Sequence, residues 1–172
     1  MKCINELIDD QYENTGITHT RRIARAFVIN DKNEVCLLKV FGIDDFGPRD
    51  YYETPGGGIK DDEDMLEAVI REVKEETGIT ASLISEIGYV SDYYNLIHRH
   101  NMNYYYLLKA DSYGELALEE GEKKIIAGFD FYPLDEAVRL YEKMTNEKLE
   151  ILVRRRELPV LLEAIEILNK LK

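Results

Sequence analysis

Between Gly56 and Ile79 the chain reads GGGIKDDEDMLEAVIREVKEETGI, and no other stretch constrains the fold as much. Three successive glycines open backbone paths and close approaches that other residues resist, so a tight turn is expected there. From Asp64 to Thr77 the residues Leu66, Val69, Ile70, Val73 and Thr77 follow the spacing of one helical face. Asp64 with Glu67 three residues on forms a capping-box pattern. Gly78 stands where a helix C-terminus calls for a left-handed residue. A helix over 64–77, entered from a glycine turn, anchors the reading.

Charge on that helix is the second constraint. Glu72, Glu75 and Glu76 stand at i, i+3 and i+4 and so share a face. With about 100° of rotation per residue, Glu72 and Glu76 fall beside the apolar stripe, not opposite it. Carboxylates converging at a core edge repel one another unless a cation neutralises them. Hard oxygen ligands of this kind suit Mg²⁺ or Mn²⁺ and leave positions for water and substrate phosphates. Arg71, four residues before Glu75, is spaced to hold a carboxylate by a helix-surface ion pair. A carbonyl at the glycine turn is placed to complete the coordination. The solvated alternative fits Asp61 to Asp64 better, where negative charge favours a helix N-terminus.

The remaining pattern is mixed. Residues 1–20 are polar and aperiodic and read as a loosely ordered arm or a short helix. RRIARAFVIND and KNEVCLLKVF read as a hairpin around NDKN, and residues 42–58 as a loop dense in Gly, Pro and Asp. ASLISEIGYVSDYY and NMNYYYLLKADSY read as strands. After them come a loop, a strand ended by Pro133, and a helix with Asp135 as N-cap. The tail from residue 159 to 171 reads as a helix with Pro159 near its first turn and an apolar stripe Leu162, Ile165, Leu168. A single domain over 1–172 is expected: an α/β fold with helices on both faces of a mixed sheet.

Composition narrows the partners. A formal net charge of −12 argues against a nucleic-acid polymer, which is bound through Lys and Arg. It leaves room for a small anion, because a divalent metal inverts the local field. Cys3 and Cys36 are too few and too poorly patterned for a disulfide framework or a zinc site. No signal peptide and no membrane span is legible, so a cytoplasmic protein is expected.

Gly57, Glu63, Arg71-Glu72-Val73, Glu75-Glu76 and Gly78-Ile79 carry the spacing of the Nudix box at every fixed position. The chain therefore resembles a Nudix hydrolase, with RAFVIND, CLLKV, ETPGGG and FYPLDEA similar to that family's flanking segments. The resemblance covers roughly residues 20–145. It implies an α/β/α sandwich around a mixed β-sheet. It also implies metal-dependent hydrolysis of a nucleoside diphosphate linked to another group. Glu72, Glu75, Glu76 and the Gly56 carbonyl would be metal ligands, and Arg71 would orient a glutamate. Glu75 and Glu76 would also serve catalysis, and Glu63 would support the geometry of loop and helix. Members of the family recruit a further glutamate from a later loop. Here Glu119, Glu120 and Glu122 are on offer without a choice among them, and Glu120 stands for that loop in the candidate set. The markers of particular substrates are missing: the places of one family proline hold Tyr94 and Asn95.

Other residues invite chemistry less strongly. His98 and His100 lack the further ligands that zinc wants, and read as surface or substrate-lining side chains. Tyr93, Tyr94, Tyr104, Tyr105 and Tyr106 suit either sheet packing or stacking on a nucleobase. Tyr94 is the candidate for stacking, and Arg22 and Arg25 are those for phosphate contact. Arg154 to Arg156 read as a solvated or intersubunit basic run, and the C-terminal helix as a surface for homodimerisation or for packing on its own sheet. The competing functions are a nucleotide-sensing module without turnover and an acidic scaffold. Intact Glu72, Glu75 and Glu76 speak against the first, and the glycines against the second.

Overall fold

The structure is a computed structural model that describes residues 1–45, 47–145 and 148–171. Its strands are β1 (Cys3–Glu6), β2 (His19–Ile29), β3 (Glu34–Asp44), β4 (Gly47–Glu53), β5 (Gly56–Gly58), β6 (Ile79–Tyr94), β7 (Arg99–Tyr113) and β8 (Ile126–Pro133). Its helices are α1 (Met65–Thr77), α2 (Leu134–Glu142) and α3 (Lys148–Leu171). The sheet runs β1-β6-β7-β2-β3-β4, with β5 paired to β2 and β8 to β3. β1–β6 and β2–β7 are parallel and the other pairs antiparallel, so the sheet is mixed. No helix among the described residues is long and apolar enough to cross a membrane.

Strand alternation sends the two faces of β2 to different cores. Phe27 and Ile29 join Leu107, Tyr105 and the apolar face of α2 and α3. Ala24, Ala26 and Val28 join Tyr106, Leu108 and the α1 residues Ala68, Val69 and Val73. The result is the expected α/β/α sandwich. α1 starts as its sequence implies, with the Asp64 carboxylate accepting from the Leu66 N–H at 2.8 Å. It ends on Gly78, left-handed at φ 71°. The β2–β3 turn is closed by Asn30, whose side-chain oxygen accepts from the N–H groups of Lys32 and Glu34.

Four local expectations are corrected. The N-terminal arm is neither loose nor helical: β1 adds to β6, and the Leu7 N–H donates to the Ser91 carbonyl at 2.8 Å. Four residues are too few to show a period, and partnership with a distant strand decides them. Residues 47–53, read as loop, form the edge strand β4. Pro48 is tolerated there because an edge leaves one side of the backbone unpaired. Asp135 does not cap α2; the cap position is Pro133, and Asp135 pairs with Arg139 one turn on at 2.7 Å. α3 begins at Lys148, so Pro159 lies inside it. An internal proline costs about 3 kcal/mol, which the packing on both sides of it offsets. The buried stripe is Val160, Leu161, Ala164 and Leu168, whereas Leu162 is exposed. That stripe is used within the chain, against its own sheet.

The basic run on α3 is not a solvated patch. Arg155 pairs with Asp10 at 2.6 Å, and buried Arg156 pairs with Glu53 at 2.8 Å and Glu157 at 3.0 Å. Glu157 is fully buried. It accepts from the Thr54 hydroxyl at 2.7 Å and the Tyr105 hydroxyl at 2.8 Å, and Arg25 lies 3.9 Å away. Burial alone would push its carboxyl up; Arg156 and Arg25 outweigh this and hold it below the usual range. The network ties α3 to Thr54, two residues before Gly56. Breaking a buried pair on one side leaves an uncompensated charge, typically at a cost of 3–5 kcal/mol. Glu157→Gln should therefore lower unfolding stability by about 3 kcal/mol in a denaturant titration. A loss under about 1 kcal/mol would show that Arg25 and Arg156 are neutralised by other groups.

Candidate active site

The site begins where β5 lies antiparallel to β2, with Ala24 opposite Gly57 and Arg25 opposite Gly56. A Cβ on Gly56 would sit 2.3 Å from the Ala24 carbonyl oxygen, and one on Gly57 only 2.6 Å from the Glu72 carboxylate. The glycines are thus required by close approach: strand backbone on one side, a helix carboxylate on the other. The Gly56 N–H donates to Glu76 Oε2 at 2.7 Å, fastening the turn to α1.

Arg71 organises the opposite side. Its Nε and Nη2 donate to the two oxygens of Glu63 at 2.7 and 2.9 Å, a bidentate pair. Its Nη1 donates to Glu72 at 2.7 Å and to Glu75 at 3.0 Å, and Nη2 also reaches the Gly58 carbonyl at 3.2 Å. Arg71's hydrogen bonds hold Glu63 down at about 2.

Glu72 and Glu76 are buried on the inner face of α1, and one oxygen of each lies within 4.8 Å of an oxygen of Glu122 and of one another. Burial raises the carboxyl of Glu72, and raises that of Glu76 well above the ordinary range, although the Gly56 N–H opposes it. Buried carboxylates in this state bind either protons or a cation, and metal binding displaces the protons. An all-oxygen set fits a hard divalent cation. The loop bearing Glu122 is delivered by backbone bonds to the end of α1: the Ala117 N–H donates to the Glu75 carbonyl at 2.6 Å, and the Gly114 N–H to that of Gly78 at 2.8 Å.

The structure gathers the candidates unevenly. Glu72, Glu76 and the Gly56 backbone meet at one point. Glu75 stands outside the three-carboxylate cluster, its side chain held by Arg71. Glu120 is also outside it, paired with Lys123 on the surface with its side chain 89% exposed. Glu122, one of the three alternatives in that loop, is the one that joins. Arg25 is buried and committed to Glu53 at 3.3 Å and to the Thr54 carbonyl. Arg22 lies over the Tyr104 ring at 5.8 Å, on the other face of β2. Tyr94 lines a cavity of about 300 Å³ together with Arg25, Arg49, Arg99 and Asn101, and accepts from Arg49 at 3.4 Å. His100 stacks on Tyr93, whereas His98 contacts the Gly16 carbonyl, so the two histidines do not meet as ligands. Tyr105 is in the Glu157 network and Tyr106 in the α1-side core.

Sequence reasoning passed over Arg21. It lines both the 300 Å³ cavity and the cleft of Glu72 and Glu122. The signal was available in strand alternation: residues 21 and 25 of β2 share a face, and 22 takes the other.

The family model of the NUDIX domain matches residues 19–154. The chain belongs to the NUDIX family, and is a hydrolase of phosphorus-containing acid anhydrides. Its fold is similar to that of a NUDIX hydrolase from Nitrosomonas europaea (17% identity, 88% of this chain and 90% of that one, TM-score 0.63). It is similar also to the MutT protein from Methanosarcina mazei Go1 (19%, 83% and 95%, 0.55) and to a UDP-X diphosphatase (16%, 88% and 66%, 0.59). No curated protein matches the chain in sequence.

Two outcomes follow from the Arg71 fan. Loss of a group that orients a ligand typically costs 10–100-fold in metal affinity, so Glu63→Gln should weaken Mn²⁺ binding about tenfold by calorimetry. Unchanged affinity would show that Arg71 needs no anchor. Glu63 also couples stability to pH, its carboxyl lying at about 2 against an ordinary value of 4.5. The stability it contributes is fully present above the ordinary value and lost as pH falls through the lower one. Melting temperatures of the wild type and Glu63→Gln should therefore converge over that window.

Proposed function

We propose that this hydrolase cleaves the diphosphate of a nucleoside diphosphate linked to a further group, by attack of water on phosphorus, with Mg²⁺ or Mn²⁺ as cofactor. The observation that carries this is the convergence of Glu72, Glu76 and Glu122 oxygens within 4.8 Å. A divalent cation bound there would lower the pKa of water and neutralise charge on the phosphoryl oxygens. The chain's own groups do the rest. Arg71 holds Glu72 in place from one side and the Gly56 N–H holds Glu76 from the other. Glu122 reaches the cleft from a loop and is the proposed proton acceptor from water, in place of Glu120. Arg21, at the border of cleft and cavity, is placed to contact the diphosphate while its attached group enters the cavity. Tyr94 lies in that cavity as a wall for a nucleobase or a sugar. The UDP-X diphosphatase among the similar folds agrees in reaction class with this reading.

Screening nucleoside diphosphate derivatives with Mg²⁺ and Mn²⁺, with product analysis, tests the reading directly. Turnover should release a nucleoside monophosphate and a phosphorylated remainder; nucleotide binding without any turnover would contradict it. Glu76→Gln should abolish Mg²⁺-dependent turnover with the fold intact. Glu122→Gln should lower kcat by about 100-fold or more, the usual scale for a proton acceptor. A larger loss in Glu120→Gln than in Glu122→Gln would reverse the assignment.

A further inference from the structure

The cavity beside the carboxylate cluster contains two buried polar atoms without a hydrogen-bond partner: Arg99 Nε and Asn101 Oδ1. Buried polar groups are nearly always satisfied, and each exception calls for a reason. Both sit on one face of β7, two residues apart, next to Arg21, whose β2 position is paired with Asn101.

The other cations of this cavity have their anions. Arg25 is answered by Glu53 and Glu157, Arg49 by Asp44 at 2.8 Å, and Arg156 by Glu157 and Glu53. Asp92, the carboxylate facing Arg99, is already held by the Asn103 amide at 2.8 Å and lies 3.8 Å from Arg156. Among the described residues, Arg21 and Arg99 have no carboxylate within ion-pair distance. Burial, with Arg21 and Arg25 nearby, lowers Arg99 to about 10. A guanidinium in that setting is costly unless an anion arrives.

We infer that Arg99 and Asn101 form a subsite for a second anionic group, a phosphate or a carboxylate, on the part of the substrate beyond the diphosphate. Arg99 takes the anion, and Asn101 Oδ1 accepts from a hydroxyl beside it. The inference rests on the diphosphate reading for the word substrate, but not for the anion site itself. Separation along the sheet supports it. Along β2, Asn101 is level with Arg21 and Arg99 with His19, three and five residues from Ala24, which is level with Gly57, so the subsite lies about 10 to 16 Å along the strand from the glycine turn. A diphosphate alone does not cover that span, whereas a diphosphate with an attached phosphorylated or carboxylated sugar does.

The test needs neither turnover nor a cation. Full-length protein in EDTA is titrated with inorganic phosphate, and binding is followed by calorimetry and by the shift in melting temperature. Phosphate should bind and stabilise the wild type, and Arg99→Gln should weaken it by at least about tenfold. Asn101→Asp, which sets a like charge beside the anion, should abolish it. Glu76→Gln should keep it. Without phosphate, Arg99→Gln should melt at the wild-type temperature or above, because it removes a half-buried charge with no ion pair; Arg99→Lys serves as the second variant if Gln does not fold. Absence of phosphate binding, equal binding in Arg99→Gln, or loss in Glu76→Gln would overturn the subsite. So would a large drop in phosphate-free stability on losing Arg99, which would mark a structural role. A nucleotide panel without turnover would overturn the proposed function and leave this result standing.

Discussion

One guanidinium holds this molecule's acidic helix in a usable state. Without Arg71, carboxylates of Glu63, Glu72 and Glu75 would face one another at the edge of a core with nothing to offset them. With it, Glu63 is a fixed anchor in the loop, Glu72 is turned toward the cleft, and Glu75 is kept to the side. The same guanidinium reaches the Gly58 carbonyl, so the glycine turn and α1 cannot move independently. Glycine at position 57 is a consequence: Glu72, once aimed, occupies the space a side chain would need. Charge, turn and helix form a single unit.

That unit is secured from the far side of the sheet by a second ionic centre. Glu157, fully buried, collects Thr54, Tyr105, Arg156 and Arg25 around one carboxylate. Thr54 lies two residues before Gly56, so α3 and the glycine turn share a fixed point although they lie on different layers. The arginines left unanswered, Arg21 and Arg99, are on the same sheet face and open into the cavity. Of the arginines lining that cavity, the two without an ion pair thus lie where an anionic substrate would rest.

Much of the α1 side was legible in the sequence, because its signals are local. The cap at Asp64, the left-handed Gly78, the apolar period and the spacing from Gly57 to Ile79 all lie within one continuous stretch. What was illegible depended on distant partners. β1 exists because β6 offers an edge, and β4 because β3 extends to meet it. Arg156 read as part of a solvated or intersubunit basic run and Glu157 drew no reading, and only the packing of α3 onto Thr54 and Tyr105 buries them. Glu122 is set apart from Glu119 and Glu120 by a short 3-10 turn at Glu122–Lys124, where the Glu119 N–H donates to the Glu122 carboxylate at 2.7 Å and Glu120 turns to Lys123, which no pattern in the loop announces. Arg22 and Arg25 were named together although strand alternation separates them.

Glu72, Glu76 and Glu122, and not the exposed Asp61, Asp62 and Asp64, are the proposed cation site. Anomalous scattering from a crystal soaked in Mn²⁺ addresses it most directly. A peak within about 2.0–2.6 Å of one oxygen each of Glu72, Glu76 and Glu122 is expected. A peak confined to Asp61–Asp64, or none at the three glutamates when Mn²⁺ is bound in solution, would contradict it.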